Sequence, residues 1–401
     1  MATDRGALSP AARRLKVAVV AYGSRGDVEP CVAVARELQR RGHEVRIALP
    51  PNMIELATAT DLTAVDYGPD SRAHLDSAAE LVRDCGLSNP VAALPRIIER
   101  INAVTAAKTA TLKSVAQGAD LIVAGFNEQG LAGIVAEYYG VPLAAVHYFP
   151  TKVFSSWGLV ATMSKQAEAT QRQALGLSAD SGAAREILEI QAYDELCLPG
   201  PAAEWVAPGR RPFVGALTLA LPTDTDDEVM SWIDAGPAPI YFGFGSTSVE
   251  PDTLTWITAA AGRLGGRALV CSGPNDLNPT PDSERVRMVR TVNHAAVLPL
   301  CRAAVHHGGA GTTAACLRAG IPMLILWSWL DQPLWAAGIQ SLKVGTAQPY
   351  SASALDSIVA NLSEILSPQY SATARAVAGQ MTDAAQSIAA AADLLETEAE
   401  L

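Results

Sequence analysis

Cysteine pairs, basic residues and long apolar runs are all scarce in this chain of 401 residues. Its six cysteines are scattered without a CxxC pair, so neither a disulfide framework nor a structural zinc site is expected. Thirty Lys and Arg against forty-one Asp and Glu leave a net charge of -11, which argues against nucleic acid as a partner. No apolar run reaches the roughly 18 residues of a spanning helix, and the first residues lack the apolar stretch of a secretory signal. We therefore expect a cytoplasmic globular protein.

The composition and length point to two domains. Hydrophobic residues make up 49% of the chain and charged residues 18%, which is typical of folded domains with large cores. At roughly 150 residues per domain, the length favours two domains of similar size. Residues 199–227 are rich in Pro, Gly and acids, the composition of a linker. The predicted division is a disordered leader at 1–14, a first domain at 15–205, a second at 206–380 and a C-terminal helix at 381–401.

Short apolar runs followed by helical patterns recur through both halves, as expected for parallel sheets covered by helices. The predicted strands are 16–21, 44–49, 120–124, 143–148, 239–243, 267–271, 286–289, 303–306 and 323–326, and the clearest predicted helices are 28–41, 309–319 and 333–342. Residues 155–196 have helical character and no clear strand. The pattern predicts an α/β fold with two doubly wound, Rossmann-like domains that face each other across a cleft. Ligands bind such sheets at the carboxyl ends of the strands.

The densest motif is HHGGAGTT at 306–313, between a predicted strand and a predicted helix. Its small residues let the backbone approach a ligand closely, and the helix start presents unpaired N–H groups to an anion. The motif therefore predicts a phosphate-binding loop. Tight packing of the helix on the sheet is the alternative, although it accounts poorly for two His and two Thr around three glycines. A Walker loop is excluded, because Gly-Lys-Ser/Thr does not occur in the chain.

HHGGAGTT resembles the diphosphate motif of inverting GT-B glycosyltransferases of the UDP-glycosyltransferase superfamily. Three further motifs are similar to that family in the same order: YGSRGDVEP at 22–30, FGFGS at 242–246 and DQP at 331–333. The resemblance is strongest to bacterial glycopeptide-antibiotic, sterol and mycobacterial glycopeptidolipid glycosyltransferases. It implies a GT-B fold with the acceptor domain first, the nucleotide-sugar domain second, and a C-terminal helix that can pack back on the first domain.

The resemblance also implies roles for individual residues. A UDP- or dTDP-sugar would be the co-substrate, with no catalytic cofactor and no metal. Asp27 would be the general base, and His306 with the helix start would stabilise the leaving diphosphate. The implied donor-binding residues come from both halves and are Ser24, Arg25, Gly26, Ser246, Val292, His306, Gly308, Gly309, Ala310, Gly311, Thr312, Asp331 and Gln332.

Local sequence leaves alternatives open at three acidic positions. Asp27 could merely cap the helix predicted at 28–41, which has a Pro in its first turn. Asp331 could likewise be the N-cap of the helix that follows it. The DTD motif at 224–226 resembles a metal-binding DxD, but a helix cap by Thr225 or Asp226 is favoured because acids collect at helix starts.

Aromatic residues near the ends of first-half strands suggest an acceptor pocket. Its predicted members are Phe126, His147, Tyr148, Phe149 and Trp157, with core packing as the alternative for each. Few positive charges occur in the first-domain loops, so a small apolar natural product or a lipid is the favoured acceptor. Peripheral contact with a membrane is compatible with such an acceptor, and the chain is expected to be a monomer or a homodimer.

The resulting hypothesis is sugar transfer with inversion. Asp27 would deprotonate an acceptor hydroxyl, which attacks the anomeric carbon from the face opposite the diphosphate. A nucleotide-sugar epimerase or hydrolase on the same fold and a non-catalytic partner protein are the alternative functions. If Asp27 is not the base, His147 or Glu128 is the next candidate.

Overall fold

The computed structural model describes residues 13–74, 94–150, 158–178, 186–200, 206, 209–247, 249, 253–275, 277 and 285–401. Within these ranges, none of the helices combines the length and the apolar character needed to cross a membrane.

The first half of the chain forms a parallel sheet with helices on both faces. Its strands are β1 (Lys16–Val20), β2 (Glu44–Leu49), β3 (Ala64–Asp66), β4 (Leu121–Gly125), β5 (Leu143–His147) and β6 (Leu188–Gln191). The helices are α1 (Arg25–Arg40), α2 (Ile54–Thr58), α3 (Leu94–Val115), α4 (Gln129–Tyr139) and α5 (Gly158–Ala174). β4 and β5 are buried along their whole length, which explains their continuous apolar sequences.

The second half forms another parallel sheet. Its strands are β7 (Ile240–Gly243), β8 (Ala268–Cys271), β9 (Val286–Val289), β10 (Ala303–His306), β11 (Met323–Trp327) and β12 (Gly345–Pro349). The helices are α6 (Asp226–Asp234), α7 (Thr253–Arg263), α8 (His294–Val297), α9 (Ala310–Ala319), α10 (Gln332–Ser341), α11 (Leu355–Ile365), α12 (Pro368–Ala378) and α13 (Ala384–Glu398).

The two sheets share one topology. Their strand orders are β3-β2-β1-β4-β5-β6 and β12-β11-β10-β7-β8-β9, and every pairing is parallel. Read from β9, the second order is the first one repeated, and it is the strand order of a doubly wound dinucleotide-binding domain. The predicted fold class, two Rossmann-like domains, is confirmed.

Three strands were not expected from the sequence: β3, β6 and β12. All three are the outermost strands of their sheets. β6 lies inside 155–196, where no strand was predicted. Edge strands need no continuous apolar run, so the polar sequences of β6 (LEIQ) and β12 (GTAQP) carry no strong strand pattern.

The C-terminal helix α13 returns to the first half and packs against α1, as the resemblance implied. Ala391, Ala392 and Leu395 are fully buried in the first-half core. At the rim of this contact, Glu396 accepts hydrogen bonds from Arg41 at 2.8 Å and from His43 at 2.7 Å. The last helix of the chain is therefore part of the first-half core.

Candidate active site

Both sheets reverse their strand order at the central pair, β1 with β4 and β7 with β10. The crevice outside the carboxyl ends of these strands is where doubly wound sheets bind ligands. The motifs at 22–30 and 306–313 leave β1 and β10, and the loop at 244–247 leaves β7. The two halves approach each other here, since Arg72 donates to the carbonyl of Pro274 at 3.0 Å. The sequence motifs of both halves therefore converge on one cleft.

Asp27 lies inside helix α1 rather than at its cap. The helix begins three residues earlier than predicted, at Arg25, with Ser24 as the N-cap residue. Oδ2 of Asp27 accepts the backbone N–H of Ser24 at 2.6 Å and its hydroxyl at 2.7 Å, the return half of a capping box. Gly23 makes this possible, because its φ is +135° and a Cβ there would lie 2.5 Å from Oδ2. The carboxylate is fixed at the mouth of the cleft.

The other oxygen of Asp27 faces the loop after β4 and the end of β5. Oδ1 accepts the side-chain amide of Asn127 at 3.1 Å and the hydroxyl of Tyr148. The amide of Asn127 also lies 3.3 Å from the Tyr148 hydroxyl and 3.3 Å from the carbonyl of Tyr22. Four donors from three residues therefore surround one carboxylate.

The predicted acceptor-pocket residues form a packed aromatic cluster. The ring of Phe126 lies 5.4 Å from His147, 6.2 Å from Tyr148 and 4.8 Å from Phe149, measured between centroids. His147, Tyr148 and Phe149 are buried, whereas Phe126 is partly exposed. Trp157 lies outside the described residues. Of the four described members, Phe126 alone offers ring surface to a ligand, and the other three fit the packing alternative.

Neither alternative base reaches the cleft. Burial lowers the pKa of His147 to about 4, and its Nε2 lies 3.0 Å from Oε1 of Gln129. Glu128 is buried and accepts the ammonium of Lys108 at 2.8 Å and the hydroxyl of Tyr67 at 2.5 Å. Both side chains are therefore held by hydrogen bonds within the first half of the chain.

In the second half, α9 starts at the predicted phosphate-binding loop. Gly309 is the N-cap residue, so the N–H groups of Ala310, Gly311 and Thr312 have no partner within the helix. The positive end of the helix dipole therefore faces the cleft. Gly308 is required in this turn, because its φ is +87° and a Cβ would lie 2.7 Å from Cγ2 of Ile325.

His306 lies at the end of β10, where its ring contacts both this loop and β11, and its predicted role in diphosphate binding stays a prediction. It is 0% exposed, its Nδ1 accepts the N–H of Gly308 at 3.1 Å, and its Nε2 lies 3.4 Å from Sδ of Met323. Burial, with smaller effects from His307 and His294, holds the pKa of His306 well below its ordinary value. Its ring belongs to the packing between β10 and β11.

His307 is the histidine that lies beside the loop, and the sequence analysis assigned it no role. A Cβ on Gly245 would lie 2.9 Å from its Cε1, and one on Gly309 would lie 2.5 Å from its Nε2. Its Nδ1 is buried and has no hydrogen-bond partner among the described residues. Burial lowers the pKa of His307 to about 4, although a hydrogen bond to the backbone of Gly243 acts in the opposite direction, so the ring is neutral.

Three further predicted donor residues lie around this cleft. Ser246 is exposed in the turn after β7, and Arg25 is exposed at the start of α1, where it pairs with Glu29 at 2.6 Å. The charge of Arg25 contributes to lowering the pKa of His294 to about 4, after the larger effect of burial, so Arg25 points towards the second half. Gly26 is exposed beside Arg25.

Val292 differs from these residues. Its side chain is buried in the second-half core, so only its backbone is left for a nucleotide base.

Asp331 and Gln332 form the start of α10. Asp331 occupies the N-cap position, but its side chain makes no cap hydrogen bond; its Oδ2 accepts the indole N–H of Trp335 at 2.7 Å. Oε1 of Gln332 accepts the N–H of Ser328 at 2.8 Å, which fixes the loop after β11. Burial raises the pKa of Asp331 to about 6, and the charge of Asp27 adds to that rise. The two acids thus face the same space from opposite halves.

The DTD motif is a helix start, as favoured from the sequence. Thr225 is the N-cap residue of α6. Asp226 accepts the N–H of Thr223 at 2.8 Å, its hydroxyl at 2.7 Å and the N–H of Asn293 at 2.9 Å. Across the part of the chain that the structure describes, no group of three or more His, Cys, Asp or Glu is placed to hold a metal ion.

Comparison with known proteins agrees with this architecture. Residues 17–153 match the glycosyltransferase family 28 N-terminal domain, and residues 260–397 match the erythromycin biosynthesis protein CIII-like C-terminal domain. An uncharacterized glycosyltransferase of Mycobacterium leprae is 48% identical over 413 residues, covering 96% of this chain and 97% of its own. Vancomycin aglycone glucosyltransferase of Amycolatopsis orientalis is 27% identical, covering 94% and 96%. The crystal structure of the glycosyltransferase VinC in complex with dTDP has a TM-score of 0.66 at 21% identity, covering 96% and 100%.

The relationship extends through both halves. The 48% identity spans 96% of this chain, and the two matched domains contain the motifs that leave β1 and β10. The strand order of both sheets and the cleft between them agree with that relationship. This chain belongs to the GT-B glycosyltransferases of the UDP-glycosyltransferase type.

Proposed function

We propose that this enzyme transfers a sugar from a UDP- or dTDP-sugar to a hydroxyl of an apolar natural product or lipid, with inversion at the anomeric carbon. Asp27 takes the proton of the acceptor hydroxyl as that oxygen attacks the anomeric carbon. The diphosphate leaves from the opposite face of the sugar. The acceptor binds to the first domain, 15–205, and the donor to the second, 206–380. A lipid acceptor would bring this cytoplasmic enzyme into peripheral contact with a membrane.

The observation that carries this proposal is the pair of acids facing each other across the cleft. Asp27 stands after β1 and Asp331 at the start of α10, within electrostatic reach of each other. A direct displacement needs a base and a bound sugar close together, because the reacting atoms must approach to roughly 3–3.5 Å. In this scheme, Asp331 accepts hydrogen bonds from the sugar hydroxyls, and Asp27 accepts the proton of the acceptor hydroxyl.

The start of α9 supports the donor half of the proposal. Negative charge grows on the diphosphate as the bond to the sugar breaks, and preorganised donors stabilise that charge. The N–H groups of Ala310, Gly311 and Thr312 are such donors. We assign the imidazole contact to His307 rather than His306, because the buried Nδ1 of His307 lacks a partner among the described residues.

The relatives support the substrate classes. One acts on the vancomycin aglycone, a natural product, and VinC was crystallised with dTDP. The test is mass spectrometry of products from a panel of UDP- and dTDP-sugars combined with lipidic and natural-product acceptors. A glycosylated acceptor of inverted anomeric configuration is the expected product. Equal turnover of the donor with and without acceptor would instead indicate a hydrolase or epimerase, and no turnover at all a non-catalytic protein.

Metal independence is the first prediction, since the helix start of α9 supplies the positive charge and Asp226 is occupied by Thr223 and Asn293. Turnover should persist in excess EDTA. A loss of more than roughly tenfold, restored by magnesium or manganese, would exceed what one weak contact explains and would contradict the prediction.

A further inference from the structure

The hydrogen bonds around Asp27 leave its carboxylate fully occupied. A carboxylate offers about four lone-pair positions, two on each oxygen. Oδ2 accepts the N–H and the hydroxyl of Ser24, and Oδ1 accepts Asn127 and Tyr148. An incoming acceptor hydroxyl can reach this base only if one of the four donors moves away.

The donors differ in their freedom to move. The Ser24 N–H is backbone at the start of α1. The ring of Tyr148 is buried, with Phe126 at 6.2 Å and Phe149 at 4.9 Å between centroids, so its hydroxyl stays in place. Asn127 is tied to the carbonyl of Tyr22 as well as to Asp27. The hydroxyl of Ser24 can turn about a single side-chain bond without moving the backbone or a packed ring.

Tyr148 also keeps its proton throughout the working pH range. Burial, the charge of Asp27 and the hydrogen bond to it raise the pKa of Tyr148 well above its ordinary value. The phenol is therefore a permanent donor to Oδ1. The side-chain amide of Asn127 in turn donates a hydrogen bond to the phenol oxygen at 3.3 Å. Such chains of hydrogen bonds polarise one another and strengthen the last bond.

We propose that Tyr148, supported by Asn127, is a positioning residue that holds Oδ1 of Asp27 and so leaves Oδ2 as the oxygen that takes the acceptor proton. This inference rests on the proposed function of Asp27 as the base. The Ser24 hydroxyl turns away, the acceptor O–H breaks, and its proton goes to Oδ2. The acceptor oxygen uses the electron pair of the broken O–H bond to form its bond to the anomeric carbon, while the bond between the anomeric carbon and the diphosphate oxygen breaks and its electron pair leaves with the diphosphate.

Tyr148→Phe tests the inference, because it keeps the ring and removes only the hydroxyl. A hydrogen bond to the charged form of an acid favours that form. Without it, the acid side of the pH–rate profile should move to higher pH. kcat should fall roughly tenfold because the carboxylate is less well oriented. The KM for the nucleotide sugar should not change. Asn127→Ala should act in the same direction but less strongly.

Other groups near Asp27 are controlled separately. Asp331 faces it from α10 and Cys31 lies beneath it on α1. Cys31 has a pKa raised to about 12 by burial and by Asp27, so it does not titrate in the working range. Asp331 does titrate there, and the profiles are therefore repeated in an Asp331→Asn background, where the shift caused by Tyr148→Phe should remain.

Tyr139→Phe is the matched control, because it removes a tyrosine hydroxyl that donates to the carbonyl of Lys113 at 2.9 Å, on another side of the sheet. It should leave the profile unchanged. Tyr148→Phe should also cause no further loss in an Asp27→Asn background. If Tyr148→Phe does not fold, the same measurements are made on Asn127→Ala, which changes an exposed residue.

Two failures are distinguishable. A wild-type profile for Tyr148→Phe, with Asp27→Asn inactive, would overturn this inference and leave the proposed function intact. A fully active Asp27→Asn would overturn both.

Discussion

His306 and His307 are neighbours in sequence and burial lowers the pKa of both, but their contacts differ. His306 ends β10 and its side chain packs against Met323 of β11, whereas His307 lies between Gly245 and Gly309. Successive side chains at the end of a strand point to opposite faces. Because helices cover both faces of β10, alternation along the strand does not reveal from sequence which of the two histidines packs against Met323. We therefore expect different effects from replacing each of the two histidines.

His307→Ala should weaken the binding of UDP or dTDP roughly tenfold or more, since it removes a hydrogen bond to a charged group. Isothermal titration calorimetry measures this directly. His306→Ala should instead lower the melting temperature, because it leaves a cavity and deprives the N–H of Gly308 of its acceptor. If His307→Ala binds the nucleotide with normal affinity and a stable His306→Ala loses affinity, the contact to the diphosphate belongs to His306 instead.

Asp331 should give donor binding a pH dependence near neutrality. Burial and the charge of Asp27 raise its pKa to about 6, so the carboxylate is ionised above that pH and protonated below it. The ionised form accepts hydrogen bonds from sugar hydroxyls more strongly. We therefore expect the KM for the nucleotide sugar to rise as the pH falls through about 6.

Asp331→Asn is the matched variant for that measurement, because the amide oxygen can still accept the indole N–H of Trp335. Its KM should be higher than that of the wild type at pH 7 and nearly independent of pH. An unchanged rise in KM on acidification of Asp331→Asn would assign the dependence to another group.

At the scale of secondary structure, the central strands were predictable, whereas three of the four edge strands were not. β1, β4, β7 and β10 are apolar because helices cover both faces, so composition alone reveals them. The start of α1 was placed too late because Arg25 and Gly26 lack any apolar pattern. The capping box of Ser24 and Asp27 is the feature that fixes the boundary, and an Asp in place of the usual Glu or Gln made it hard to recognise.

The contacts that build the site were harder still to predict. Tyr148 reaches Asp27 across 121 residues of sequence, and Asn127 across 100. No periodicity links such positions, because the parallel sheet brings β1, β4 and β5 side by side only after folding. The resemblance in sequence identified Asp27, but not the residues that hold it.

Helix α13 provides a test of packing at the level of one element. Leu395 is fully buried against the first-half core, so Leu395→Ala should lower the free energy of unfolding by about 2–5 kcal/mol. Leu401 is 76% exposed, so Leu401→Ala should change the free energy of unfolding by less than about 0.5 kcal/mol. Urea denaturation of both variants checks the pair. Equal stability of the two would mean that α13 does not contribute to the first-half core.

At the scale of the whole molecule, two copies of one topology bring different chemistry to a shared cleft. The first sheet supplies Asp27 after β1, and the second supplies the helix start of α9 after β10 and Asp331 after β11. In the proposed mechanism, the cleft combines a base from one half with a diphosphate site and a sugar-binding acid from the other. The boundary between the two domains, predicted near residue 205, stays a prediction.

The single-turnover rate of sugar transfer by Asp27→Asn tests the central claim most directly. Asn keeps the size of the side chain and can still accept the N–H of Ser24, so the variant should fold and bind UDP or dTDP like the wild type. Without a base, its rate should fall by about two orders of magnitude or more. A folded Asp27→Asn enzyme that transfers sugar at the wild-type rate would contradict the assignment of Asp27 as the base.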